Sequence, residues 1–101
     1  MTINKSLDGD KMIVAIEGRL DTTTAPSLDA ELNQSSDLSA VNELVFDFEK
    51  LEYVSSAGLR VLLATQKTMN THGKMSVKNV NDTIMEVFEI TGFADILTIE
   101  K

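Results

Sequence analysis

The chain has 101 residues, of which 43% are hydrophobic, and this length suits a single domain with one core, spanning residues 1–101. It contains no cysteine, which excludes a disulfide framework and a thiol-ligated zinc site and favours a cytoplasmic location. The formal net charge of −7 disfavours nucleic acids and anionic membranes as partners, and no apolar stretch approaches the roughly 18–20 residues of a membrane span.

The N-terminal segment predicts two antiparallel strands and lacks the basic start and apolar run of a signal peptide. Residues 2–7 and 11–17 flank Asp8-Gly9-Asp10, and the Asp-Gly pair favours the positive φ of a hairpin turn. In the second strand, Ile13 and Ala15 make one face apolar, and the opposite face is apolar too. We therefore expect this strand to be covered on both faces.

The strand pattern breaks at residues 18–21, and a first helix is predicted to follow. One of the threonines at positions 22–24 can cap this helix, and Pro26 suits its first turn. We expect the helix to end near Gln34 and residues 35–42 to form a polar connection.

The middle of the chain predicts a buried strand and a second helix. Residues 43–48 form an apolar run that only Asp47 interrupts, which is typical of a central strand. The second helix is expected to begin at Ser55-Ser56-Ala57-Gly58, to carry Leu63 on its inner face and to end near His72-Gly73.

The last third of the chain predicts a strand at residues 74–80, a helix that Asn81 caps and Gly92 ends, and a short strand at residues 96–99. The element order is therefore ββαβαβαβ. Strands that alternate with helices predict an α/β fold with about three helices and a mixed, mostly parallel sheet, in which the opening hairpin forms an antiparallel edge.

Catalytic and cofactor motifs are absent from the sequence. The single histidine, His72, falls at a predicted helix end, where a polar or positive side chain suits the helix dipole. There is no glycine-rich phosphate loop, and Glu49 and Glu52 flank a predicted loop as solvated charges. We therefore predict no enzymatic activity, no cofactor and no metal site.

Two motifs carry more information. Residues 47–59, D-F-E-K-L-E-Y-V-S-S-A-G-L, resemble the signature of the STAS domain family, the anti-sigma factor antagonists, which is D-L-x-x-V-x-F-(I/M)-D-S-(S/A/T)-G-L. Residues 18–21, G-R-L-D, resemble that family's G-x-L-D turn at a fitting distance upstream. The resemblance spans nearly the whole chain, and the predicted element order agrees with the fold that it implies.

The resemblance implies a bacterial regulatory protein. In such proteins the unphosphorylated domain binds an anti-sigma factor, often a serine kinase, and thereby frees a sigma factor, whereas phosphorylation of the motif serine ends the binding. The phosphoacceptor position falls on Ser56. Ser55 stands where many members carry an aspartate, so the acidic contribution to kinase recognition is missing.

The predicted location of Ser56 suits this role, because a corner between a strand and a helix exposes its hydroxyl to a partner. Ala57 and Gly58 keep the first helical turn small enough for a partner backbone to approach. The alternative is that Ser55 or Ser56 only caps the helix.

Further partner contacts are predicted at Asp21, Thr22 and Thr23, which otherwise cap the first helix. Arg60 is a further candidate. It can pair with Glu52, with a partner carboxylate or with a phosphate on Ser56, or it can remain a solvated side chain.

The sequence leaves three classes of function open. The first is a phospho-regulated antagonist of an anti-sigma factor, and the second is a non-phosphorylated adaptor that regulates a transport or lipid-trafficking ATPase. A small hydrolase or nucleotide-binding protein would need a pocket with perturbed titratable groups. The expected partner is an anti-sigma factor, with no nucleic acid and no membrane insertion, and the expected oligomeric state is a monomer or a weak dimer.

Overall fold

The structure is a computed structural model that describes residues 1–33 and 37–100. Its strands are β1 Thr2–Asp8, β2 Lys11–Leu20, β3 Glu43–Asp47, β4 Leu51–Val54, β5 Lys74–Lys78 and β6 Ile99–Glu100. Its helices are α1 Ala25–Leu32, α2 Ser56–Asn70 and α3 Asp82–Thr91, with 3-10 turns at Asp37–Ala40 and Phe93–Asp95. No helix in the described ranges has the length and apolar content needed to cross a bilayer.

The sheet is mixed and mostly parallel, as the sequence predicts. Its strand order is β1-β2-β3-β5-β6, with β1 antiparallel to β2 and each later neighbour parallel. The hairpin therefore forms one edge and β3 lies in the middle. Each βαβ crossover moves one strand further in the same direction, so right-handed connections place all three helices on one face.

The hydrophobic core lies between this face and the helices. Phe46 of β3 is fully buried, and Leu28 of α1, Leu62 of α2 and Phe88 of α3 belong to the same core cluster. The three helices therefore bury their apolar faces on a single side of the sheet, which removes most of the large apolar side chains from water.

Within residues 1–33 and 37–100, no helix packs against the other side of the sheet. Val45 is buried but lies outside the core cluster, next to Ser76 on β5, while Ile13 and Ala15 are only partly buried. We call the side that carries these four residues the open face. The prediction that β2 is covered on both faces was therefore wrong, because every crossover helix lies on the core side.

The strand β4 was missed by the sequence analysis, which treated its residues as a loop. It pairs in parallel with residues 18–20 of β2, with a register shift between Gly18 and Arg19. Gly18 N–H donates to Lys50 O at 3.0 Å as β4 begins. Four residues with two exposed positions in the middle give no alternating pattern, so periodicity could not reveal this strand.

Two connections also differ from expectation. The segment predicted as polar at residues 35–42 buries Leu38 and Val41 in the core, although residues 34–36, including the predicted helix end at Gln34, lie outside the described residues. The final strand occupies residues 99–100, not 96–99, because a 3-10 turn precedes it and leaves Ile96 exposed.

Leu63 was predicted on the inner face of α2, and this was wrong. Leu62 is fully buried, whereas Leu63 is only partly buried and lies outside the core cluster. The buried positions Gly58, Leu62, Thr65 and Met69 follow the helical repeat, and Leu63 is rotated by about 100° from Leu62.

This difference gives the first prediction. Leu62→Ala should lower the free energy of unfolding by about 2–5 kcal/mol, because it leaves a cavity in the core. Leu63→Ala, the matched neighbour, should cost less than about 1 kcal/mol. Urea denaturation of both variants measures this, and equal losses would show that the inner face of α2 is wrongly assigned.

Candidate partner-docking rim

The candidate site begins where two parallel strands end together. Leu20 of β2 and Val54 of β4 are register partners, and Ser55 N–H donates to Leu20 O at 2.8 Å. The segments that follow these strands therefore start side by side. We call the surface formed by residues 21–24 and 55–57 the rim.

Gly58 fixes the first turn of α2 against β2. A Cβ atom at this position would lie 2.7 Å from Leu20 Cγ and 3.0 Å from both Leu20 O and Val54 Cγ2. No larger residue fits without movement of backbone or core side chains. Gly58 is buried, so it departs from the expectation of a partner contact and instead packs the helix against the sheet.

The two serines of the motif have different environments. Ser55 is the N-cap of α2, and its Oγ accepts a hydrogen bond from Gly58 N–H at 3.3 Å. Ser56 is the first helical residue and is exposed, and its hydroxyl has no hydrogen bond within residues 1–33 and 37–100. Aspartate and serine are both good N-caps. Serine in place of the family's aspartate therefore keeps the cap and removes a charge.

Asp21 organises the other half of the rim. Its Oδ1 accepts hydrogen bonds from Thr23 N–H at 3.0 Å and Thr24 N–H at 3.1 Å, while Thr24 Oγ1 accepts from Asp21 N–H and donates to Arg19 O. The hydrogen bond from Thr24 N–H, together with the smaller contributions of Thr23, the Thr24 hydroxyl and Arg19, lowers the pKa of Asp21 against an opposing effect of desolvation. Asp21 is thus held ionised before α1, while Thr22 and Thr23 are exposed.

Arg19 and Tyr53 extend the rim and were not among the predicted site residues. They are register partners on β2 and β4, and the Arg19 guanidinium lies 4.4 Å from the centre of the Tyr53 ring. Arg19 Nε is also 3.6 Å from Asp21 Oδ2. Tyr53 is 38% exposed. An aromatic residue just before the Ser55 cap was the available signal, but only β4 places it beside Arg19.

The remaining predicted contacts differ in exposure. Ala57 is half-buried against the core, and Arg60 is exposed on the first turn of α2. No ion pair of Arg60 is found in the described part of the chain, so of the alternatives the solvated side chain is the one observed. Arg60 is therefore available to a partner or to a phosphate on Ser56.

The titratable side chains outside the rim are candidate metal ligands and acid–base groups, and their grouping and pKa decide these roles. No group of three or more His, Cys, Asp or Glu side chains in the described ranges could hold a metal ion. Asp47 lines a cavity of about 230 Å³ with Glu17 and Lys50. Partial burial acts to raise the pKa of Asp47, but hydrogen bonds from Asn79 and Glu49 N–H, with nearby lysines, lower it overall. The pKa of Asp47 therefore lies below its usual value, and the side chain is a carboxylate at neutral pH.

His72 has a structural role after the end of α2. Its Nε2 lies 2.7 Å from Leu38 O, so the ring joins the helix end to the 3-10 turn that anchors the connection before β3.

A comparison with protein families agrees with this arrangement. The STAS domain family matches residues 2–101. The chain belongs to the STAS domain family.

Curated relatives of this STAS domain include BtrV of Bordetella bronchiseptica, whose name assigns it to the anti-sigma factor antagonists. It is 34% identical over 100 residues, covering 98% of this chain and 84% of that protein. The anti-sigma-B factor antagonist of Staphylococcus aureus is 29% identical over 89 residues, covering 87% of this chain and 82% of that protein.

Among solved structures, the STAS domain is similar to the anti-sigma factor antagonist SpoIIAA in its unphosphorylated form. The TM-score is 0.82 with 17% sequence identity, over 99% of this chain and 89% of that chain. This likeness shows that the two proteins share a fold.

The lowered pKa of Asp21 gives the second prediction. Its ionised form stabilises the folded STAS domain fully above the unfolded pKa of about 4, and this contribution is lost as the pH falls through the lower folded pKa. Asp21→Asn should therefore be less stable than the parent at pH 7, and the difference should shrink below about pH 4. Urea midpoints between pH 7 and pH 3 test this. A difference that does not change with pH would contradict a role for the charge.

Proposed function

We propose that this STAS domain is an anti-sigma factor antagonist, in which the rim binds the anti-sigma factor and thereby frees a sigma factor. The observation that carries the proposal is the exposed Ser56 hydroxyl, which follows the Ser55 cap on the rim and has no hydrogen bond within residues 1–33 and 37–100. The names of BtrV and of the Staphylococcus aureus protein support the same function. One domain, spanning residues 1–101, acts here without catalysis of its own, in the cytoplasm where transcription is directed.

The proposed partner surface combines the exposed Ser56 with side chains that are held in place by hydrogen bonds and stacking. Asp21 is held in place by its hydrogen bonds with Thr23 and Thr24, and Arg19 and Tyr53 present a stacked cation and ring beside it. Arginine and tyrosine are among the residues that contribute most to binding at protein interfaces. These fixed groups suit the recognition of an anti-sigma factor, and Ser56 follows the C-terminal end of β4, the strand that carries Tyr53.

Phosphorylation of Ser56 by a partner kinase would end the binding through charge. A phosphate adds about −1.5 to −2 charges at the N-terminus of α2, where the helix dipole and unpaired N–H groups accommodate it. In a closely fitted interface the same charge must be desolvated without a partner, which is unfavourable. Because Ser55 provides the cap, modification of Ser56 leaves the hydrogen bond that begins the helix intact.

A second candidate is an adaptor that regulates a transport or lipid-trafficking ATPase without phosphorylation. The observation that favours it is Ser55, since the neutral cap removes the acidic residue next to the phosphoacceptor. The two candidates differ in one property: only the antagonist responds to a negative charge at position 56.

The third prediction tests this property. Ser56→Ala should bind the anti-sigma factor about as tightly as the parent, whereas Ser56→Glu should bind at least a hundredfold more weakly, equivalent to about 3 kcal/mol. Both variants should melt within a few degrees of the parent, because the hydroxyl makes no bond in the described part of the fold and a carboxylate suits the first helical turn. Titration calorimetry with the purified anti-sigma factor measures the affinities.

Thr83→Glu provides a matched control, since Thr83 is exposed in the first turn of α3 and the replacement changes the net charge equally. It should leave the affinity unchanged. Equal affinities for Ser56→Ala and Ser56→Glu would place Ser56 outside the contact surface and favour the adaptor.

A further inference from the structure

The open face of the sheet carries a row of alternating charges at the N-terminal ends of the parallel strands. In register across β1, β2, β3 and β5 stand Asp8, Lys11, Glu43 and Lys74. The signs run negative, positive, negative, positive. Such a row is complementary to its own reverse, which is the arrangement that a second copy presents across a two-fold axis.

The next row on the open face has the same symmetry in its chemistry. It runs Ser6, Ile13, Val45, Ser76, with two apolar residues between two serines. Ser76 is 7% exposed, and its Oγ has no hydrogen-bond partner in residues 1–33 and 37–100. A buried hydroxyl without a partner is unfavourable, so a group that reaches this face and bonds Ser76 would be stabilising.

We propose that the open face is a homodimer interface, with the two-fold axis parallel to the strands and between β2 and β3. In this arrangement Lys11 lies opposite Glu43 of the second copy, and Asp8 lies opposite Lys74 of the second copy. In the next row Ile13 lies opposite Val45, and Ser76 lies opposite Ser6 of the second copy, which brings a polar group to the side of the sheet on which Ser76 Oγ has no partner in residues 1–33 and 37–100.

The third row selects this axis over the alternative. It runs Asn4, Ala15, Asp47, Lys78 and, with the axis along the strands, brings no like charges together. An axis across the strands would place the charged row against the third row. Glu43 would then face Asp47, and Lys74 would face Lys78, so two pairs of like charges on each side would oppose association.

The dimer is expected to be weak, because the area is small. Four strands about 4.8 Å apart and five residues long cover roughly 300 Å² on each protomer, against about 800 Å² in a stable complex. Ser56 follows the C-terminal end of β4, whereas the charged row lies at the N-terminal ends of the parallel strands. This dimer therefore leaves the rim of both protomers exposed. The proposal is independent of the partner that the rim binds.

Sedimentation velocity of the full chain between about 10 µM and 1 mM, at about 0.15 M ionic strength, tests the proposal. At this ionic strength the repulsion between net charges is largely screened beyond about 8 Å, whereas pairs in contact still interact. The parent should change from the monomer mass of 11.1 kDa towards twice that mass as its concentration rises.

Charge reversals identify the interface. Lys11→Glu and Glu43→Lys should each weaken dimerisation at least tenfold, because each places like charges opposite one another. The double variant should dimerise more tightly than either single variant, since it restores the pair between copies, although within each chain it places a glutamate beside Asp8 and a lysine beside Lys74. Thermal melts of the single variants separate weakened dimerisation from a folding defect, because Lys11 and Glu43 are also neighbours within the chain.

Two further reversals control for the change in net charge, because every reversal alters the net charge by two units. Lys67→Glu on α2 matches Lys11→Glu, and Glu86→Lys on α3 matches Glu43→Lys; both residues are exposed on helices on the other side of the sheet. Neither should alter the mass. A parent that stays monomeric at 1 mM, or a dimer that the open-face reversals do not weaken, would overturn the proposal.

Discussion

Gly58 lies against the end of β2, and the position of the whole rim depends on this contact. With no side chain at position 58, the first turn of α2 approaches Leu20 closely enough for Ser55 N–H to bond Leu20 O at 2.8 Å. Since β2 and β4 end side by side at Leu20 and Val54, the Ser55 cap and the Asp21 turn that follow them are neighbours. A side chain at position 58 would move α2 away from β2 and separate the two halves of the rim.

The sequence predicted the parts of the fold that depend on periodicity and on turn residues. The hairpin about Gly9, the central strand with Phe46 buried and the helix that Asn81 caps all follow from such local signals. The strand β4 escaped prediction because its four residues have no alternating pattern. Leu62 and Leu63 were confused because both are leucines, and only the packed helix shows which one faces the sheet.

At the candidate site, the motif located the two serines but did not show which one caps α2 and which one is left exposed. A capping preference applies equally to Ser55 and Ser56, and only the backbone geometry assigns the cap to Ser55. The stacking of Arg19 on Tyr53 depends on the pairing of β4 with β2, because Tyr53 lies 34 residues after Arg19 in the sequence. Apolar residues at Ile13 and Ala15 suggested a covering layer because sequence shows which faces are apolar, not where crossover helices lie.

The two surfaces of this STAS domain have different physical characters. The rim places the exposed Ser56 hydroxyl next to groups that hydrogen bonds hold in place, which suits a change of charge at a single position. The open face has fixed charges in a symmetric row, which suits association with a second copy. Because the rim follows the C-terminal ends of β2 and β4 and is not part of the open face, a dimer through the open face would present two rims to two partner molecules.

The account depends most directly on the assignment of Ser55 as the cap and Ser56 as the acceptor of the phosphate. Tandem mass spectrometry of the chain after incubation with ATP and the serine kinase proposed as its partner measures this assignment at single-residue resolution. The account predicts one phosphate, on Ser56, and loss of the phosphorylated chain from the complex with the anti-sigma factor. A phosphate on Ser55, or a phosphorylated chain that stays in the complex, would contradict it.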